Sequence, residues 1–108
     1  MSKGLLRDNF DLILLTILED SPKYGLEIIA EARIRTGGYF DFKEGSLYPA
    51  LHRLEKAGFV EAEFAPSTMG GPRRRYYRLT EAGVKGLAER REAWERFNGA
   101  VGALWEAK

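Results

Sequence analysis

The chain reads as a mainly α-helical protein with one small β-hairpin, and three observations carry that reading. Apolar residues recur at helical spacing in three short stretches before Gly58. Between Phe59 and Leu79 the pattern switches to alternation around a Gly-Gly-Pro turn. From Glu81 onward the apolar residues fall at 3-4 heptad spacing. With 108 residues, 44% of them apolar, the chain can bury one core. The absence of cysteine excludes disulfides, thiolate catalysis and cysteine metal sites. The opening MSKGLLRDNF has no signal-peptide pattern, and LILLTIL is too short to span a bilayer, so a soluble cytoplasmic protein is expected.

The first helix is expected over Asp8 to Glu19, dense in Phe10, Leu12, Ile13, Leu15, Ile17 and Leu18. Ser21-Pro22 ends it, since the residue before a proline is pushed out of helical geometry. A second helix is expected over Tyr24 to Arg35, with Leu26, Ile29 and Ala30 on one face, stopped by Thr36-Gly37-Gly38. A third runs from Glu44 or Ser46 to Ala57 and places Leu47, Ala50, Leu51 and Leu54 inward. Pro49 is expected in its first turn, where backbone donors lack helical acceptors. Its outer face carries Ser46, Tyr48, His52, Arg53 and Lys56.

FVEAEFA alternates strictly, with Val60, Ala62 and Phe64 on one side and Glu61 and Glu63 on the other. After a loop from Pro66 to Pro72, Arg74 to Leu79 reads as the returning strand. Antiparallel pairing then brings Tyr77 and Leu79 to the core face and sets Glu61 opposite Arg78 as an ion pair. Thr80 is the expected N-cap of a last helix reaching almost to Lys108. Leu87, Trp94, Phe97, Val101 and Leu104 form its seam, with Arg90, Gly99 and Gly102 weakening the pattern.

Charge is unevenly placed. The net charge is only +1, yet Lys43 to Arg78 holds seven cations and four acids, whereas the part after Thr80 is neutral. Within the basic stretch stands MGGPRRRYYRLT, three adjacent arginines behind a glycine turn. Neighbouring cations repel, and phosphates on several sides relieve that repulsion. Three helices followed by a hairpin is the winged helix-turn-helix order. In it the third helix enters the major groove while the hairpin's arginines neutralise flanking phosphates. Residues 1–80 are thus expected to form a DNA-binding module, and residues 81–108 the last helix.

SPKYGLEI, GSLYPALHRLEKAGFVEAEF and GGPRRRYYRLTEAG together resemble the PadR family of bacterial transcriptional regulators, over Leu5 to about Trp94. The single last helix makes the chain similar to the short subfamily. The resemblance implies a homodimer joined through that helix. It implies repression at an inverted-repeat operator and release by a small phenolic, aromatic or hydrophobic effector. Some short members stack flat aromatics between tryptophans of the last helix, and Trp94 lies at that place.

The candidate DNA-contacting residues are Tyr24, Ser46, Tyr48, His52, Arg53, Lys56, Arg73, Arg74 and Arg75. Five of them have a plainer reading: Tyr48 packing under the hairpin, Tyr24 packing in the core, and His52, Arg53 and Lys56 as ordinary solvated polar residues. Arg78 is assigned to structure. Trp94 is either a ligand platform or an anchor of the dimer seam, and Trp105 lies off the seam. The rival function is a winged module that docks on an acidic protein without reading DNA. Enzymatic chemistry is not expected: His52 is the sole histidine, Lys56 rather than a carboxylate follows it at i+4, and no metal or nucleotide-binding motif is present.

Overall fold

The computed structural model describes residues 3–68 and 70–106. The order is α1 (Lys3–Ile17), β1 (Lys23–Tyr24), α2 (Gly25–Arg35), α3 (Glu44–Lys56), β2 (Val60–Ala65), β3 (Arg74–Leu79) and α4 (Glu81–Glu106). The strands form one antiparallel sheet in the order β1-β3-β2. Leu14 and Leu15 of α1, Ile28 of α2, Leu47 and Leu51 of α3 and Val60 of β2 are fully buried where these layers meet.

The hairpin has the register its alternation implies. Glu61 pairs with Arg78, and the two side chains form an ion pair. Tyr77 is buried and Leu79 packs against the core. Thr80 caps α4 as expected: the Gly83 amide donates to its Oγ1 at 3.0 Å, while that hydroxyl donates to the Gly58 carbonyl at 2.6 Å.

Several boundaries and faces differ from the sequence-based expectations. Helix α1 begins at Lys3 rather than Asp8, because Leu6 continues the inward stripe of Phe10, Ile13 and Leu14. It ends at Ile17, and Glu19 closes a tighter turn onto the Thr16 carbonyl. In α2 the inward residues are Gly25, Ile28 and Ala32, whereas Leu26 and Ala30 are exposed and Ile29 is intermediate. Apolar residues at 26, 28, 29, 30, 32 and 34 admit more than one helical phase, and packing selects another. Pro49 lies in the second turn of α3, not the first, because the helix starts at Glu44. Its ring faces the carbonyl of residue i−4, which is Gly45, an exposed residue without a side chain to crowd that turn.

Strand β1 has no signal in the sequence, since two residues are too few for alternation to register. Lys23 pairs with Tyr77 and Tyr24 with Tyr76. Lys23 is buried, and its ammonium donates to the Ile17 carbonyl at 3.0 Å and to the Asp20 carboxylate at 2.7 Å. That charge satisfies carbonyl oxygen at the C-terminal end of α1 and ties it to the sheet.

Phe64 departs from its expected place on the core face. It is 61% exposed, because β2 runs outward beyond the helices that cover Val60 and Ala62. Helix α4 also divides. Gly83, Gly86 and Leu87 are buried in its first turns, whereas Arg91 to Ala100 are all exposed. Leu87, expected on the dimer seam, is instead 2% exposed within the protomer's own core. Arg90 likewise turns inward, its guanidinium 4.9 Å from the Phe59 ring centroid and 3.9 Å from Asp11. The remainder of α4 extends past the core, giving the molecule a longest dimension of 57 Å.

Candidate nucleic-acid interface

Helix α3 is held by Leu47, Ala50, Leu51 and Leu54, and that anchoring decides what its other side presents. Ser46, Tyr48, His52, Arg53 and Lys56 are all exposed, as the spacing predicts. Tyr48 is nevertheless not wholly free. Its hydroxyl and ring edge pack against Gly25 at the start of α2, where even a Cβ would overlap the phenol. Burial, with the Glu44 charge adding to it, holds the Tyr48 phenol above its usual pKa. It therefore stays neutral at physiological pH, able to donate or accept a hydrogen bond.

Tyr24 sits between α2 and the sheet. Its ring is buried and meets Tyr76 edge-on at 5.3 Å between centroids. Its amide donates to the Glu27 carboxylate at 3.1 Å, so that one donor at the start of α2 is already used. Tyr76 in turn accepts from the Thr68 amide at 3.1 Å, and Thr68 Oγ1 lies 3.4 Å from Glu27. The hairpin loop is thereby fastened to the N-terminal end of α2.

The arginine cluster separates according to the period-2 geometry of its strand. Arg73, at the hairpin tip, donates to the Phe64 carbonyl at 3.1 Å. The Arg74 guanidinium lies 5.3 Å from the Tyr24 ring centroid, and its Nε is buried without a hydrogen-bond partner. Arg75 points to the opposite face and donates to Glu55 of α3 at 2.8 Å. Arg53 donates to Asp11 of α1 at 2.7 Å. The structure thus brings Tyr24, Tyr48 and Arg74 together around the start of α2, while His52, Lys56 and Arg73 stand outside that group.

Glu27, Glu55, Asp11 and Tyr76 do not stand out in the sequence as site residues. Glu55 carries a signal, being an acid between Arg53 and Lys56 in an otherwise cationic stripe. Asp11 and Tyr76 carry none, because their partners lie 42 and 8 residues away.

A second feature lies on the other side of the module. A cleft of about 700 Å³ opens between α1, the end of α2 and α4, with Leu12, Ala32, Tyr39, Phe40 and Trp94 among its lining residues. Trp94 is 47% exposed at its rim, and beyond it Phe97 and Leu104 are each 71% exposed and Val101 is intermediate. Among the described residues no group of acids and histidine is placed to hold a metal ion, and no helix is long and apolar enough to cross a membrane.

The profile of the PadR-like transcriptional regulator family matches residues 14–89, from α1 through the hairpin into α4. The chain belongs to the PadR family. A relative from Lysinibacillus sphaericus is 37% identical over 102 residues, covering 94% of this chain and 93% of its own. A transcriptional regulator from Clostridium thermocellum is 34% identical with a TM-score of 0.84, covering 95% of this chain and 96% of that one. A PadR-like transcriptional regulator from Bacillus cereus is 26% identical with a TM-score of 0.85, covering 98% and 100%. As a PadR protein the chain is a DNA-binding transcriptional regulator rather than an enzyme. The exposed face of α3 and the arginine-bearing hairpin are the natural candidates for that contact.

Proposed function

We propose that this PadR protein is a homodimeric repressor that grips an inverted-repeat operator with two winged modules and lets go when a small aromatic effector binds. The observation that carries the reading is the unpartnered seam of Trp94, Phe97, Val101 and Leu104 on a helix that has already left its own core. Apolar residues at heptad spacing on such a helix match a second copy of themselves. Pairing through this seam sets two α3 helices apart, so half-sites are expected about one helical turn apart or a multiple of it. The retardation of DNA fragments from the region upstream of its own gene tests the proposal. Sequence-blind, salt-sensitive binding alone would favour the rival protein-docking module.

In this reading α3 carries the base-reading side chains, with Ser46, Tyr48, His52, Arg53 and Lys56 toward the groove. Tyr24 and Arg74 flank a phosphate at the start of α2, and Arg73 reaches the flanking backbone. Replacing Arg73, Arg74 and Arg75 by alanine is expected to weaken binding to every sequence alike. The slope of log K against log salt should fall by about 0.9 for each phosphate the variant no longer neutralises. Unchanged operator binding by the triple variant would remove the hairpin from the interface.

The effector would enter the cleft between α1, α2 and α4, where Trp94 offers a flat face at the seam. Titration with planar aromatic compounds is expected to quench Trp94 fluorescence, with the ligand-dependent change abolished in Trp94→Ala. Absence of quenching across a broad panel would leave Trp94 as a packing residue only.

A further inference from the structure

The three hairpin arginines do not offer three free charges. Arg75 lies on the face of β3 turned toward α3, where its Nη2 donates to both carboxylate oxygens of Glu55, at 3.1 and 2.8 Å. The Arg75 guanidinium also stands 5.7 Å from the Tyr77 ring centroid, so it is held from two sides. Glu55 belongs to the helix that bears His52, Arg53 and Lys56, which sets an acid inside the surface proposed to meet a polyanion.

Folding gives little reason for that acid. Both side chains remain substantially exposed, and ion pairs between solvated side chains add little to stability. Against DNA the same carboxylate is unfavourable, because it repels phosphate and cancels one arginine. Sequence-blind affinity depends on how many phosphates the protein neutralises. A carboxylate that occupies one cation therefore lowers the protein's attachment to DNA in general.

We infer that Glu55 is a resident counterion that withholds Arg75 from DNA phosphate and so restrains sequence-blind binding by the hairpin. Among Arg73, Arg74 and Arg75, the first two then supply the usable charge. The inference rests on the DNA-binding reading above. It differs from the opposite role, in which Glu55 aims Arg75 at a phosphate, by the sign of one result.

The experiment compares wild type, Glu55→Gln, Arg75→Ala and the double variant by fluorescence anisotropy. Each is titrated with an operator duplex and an unrelated duplex at salt from about 50 to 200 mM. Glu55→Gln keeps the shape of the side chain and removes its charge. It is expected to tighten binding to the unrelated duplex about threefold or more at the lowest salt and to steepen the salt slope by about 0.9. Arg75→Ala leaves the Glu55 charge uncompensated and should weaken binding in the wild-type background, whereas the double variant, with neither charge, should bind much as the wild type does. Weaker or unchanged binding by Glu55→Gln overturns the inference. Melting curves of each variant separate a folding defect from an interface effect, and Glu55→Ala should shift affinity in the same direction. A wild type that retards no duplex would fail the DNA-binding reading itself, before any variant is compared.

Discussion

Gly83→Ala is expected to lower the melting temperature by at least about 10 °C, a large effect for one methyl group. Gly83 is buried in the first turn of α4, and the position a Cβ would take overlaps the Phe59 carbonyl oxygen. That oxygen is fixed, because it accepts the amide of Thr80, the cap of α4, at 3.1 Å. The Gly83 amide is itself bound to Thr80 Oγ1. Neither side of the contact is a flexible side chain end, so relief requires the hairpin and α4 to separate. Overpacking of this kind costs about 1–3 kcal/mol, and the upper end is expected where backbone meets backbone. Gly99→Ala supplies the contrast. A Cβ there meets nothing within 4 Å, and the position lies on the exposed half of the same helix. It should be neutral or stabilise by up to about 1 kcal/mol, through better helix propensity. Thermal melts of the two variants at equal concentration check the pair, and equal melting temperatures would show that the α4 junction gives way easily.

The contrast also marks how far the sequence can be read. Elements with one strong local signal are legible. The alternation of Val60 to Ala65 sets the hairpin and the Glu61–Arg78 register, and the spacing of Leu47, Ala50, Leu51 and Leu54 sets which side of α3 is free. Where a pattern admits two solutions, sequence does not choose. Helix α2 has apolar residues on adjoining faces, and only its packing selects Ile28 and Ala32 over Leu26 and Ala30. Leu87 fits the heptad of Trp94 and Val101, yet the first turns of α4 are absorbed by the core before the seam begins. Side-chain partners are the least legible. Nothing in RRR says that Arg75 will find Glu55 while Arg74 lies on Tyr24, because strand pleat sends neighbours to opposite faces and the partners come from different helices. The same pleat explains Phe64, which keeps the correct face of β2 but lies beyond the helices that cover it.

Phe97→Glu combined with Leu104→Glu is expected to convert a dimer to monomers and to reduce operator affinity by about two to four orders of magnitude. Both residues are 71% exposed in the single chain, so their replacement leaves the protomer's core intact. The winged module should therefore keep its helical content and its own packing around Leu14, Leu51 and Leu87. In the proposed seam, however, each glutamate would face apolar surface, and an unpaired buried charge is strongly destabilising. Operator affinity depends on this because two modules joined together bind the second half-site as an intramolecular event, whereas separate modules each bind alone. Light scattering or sedimentation reads the assembly, and retardation of the operator reads the affinity. Two internal checks follow from the geometry. The salt slope should drop to about half, since each monomer neutralises half the phosphates. Binding to a single half-site duplex should be the same for the variant and the wild type, because the α3 and hairpin surfaces are untouched. A variant that remains dimeric with full operator affinity would place the partner contact elsewhere on the molecule, away from the exposed length of α4.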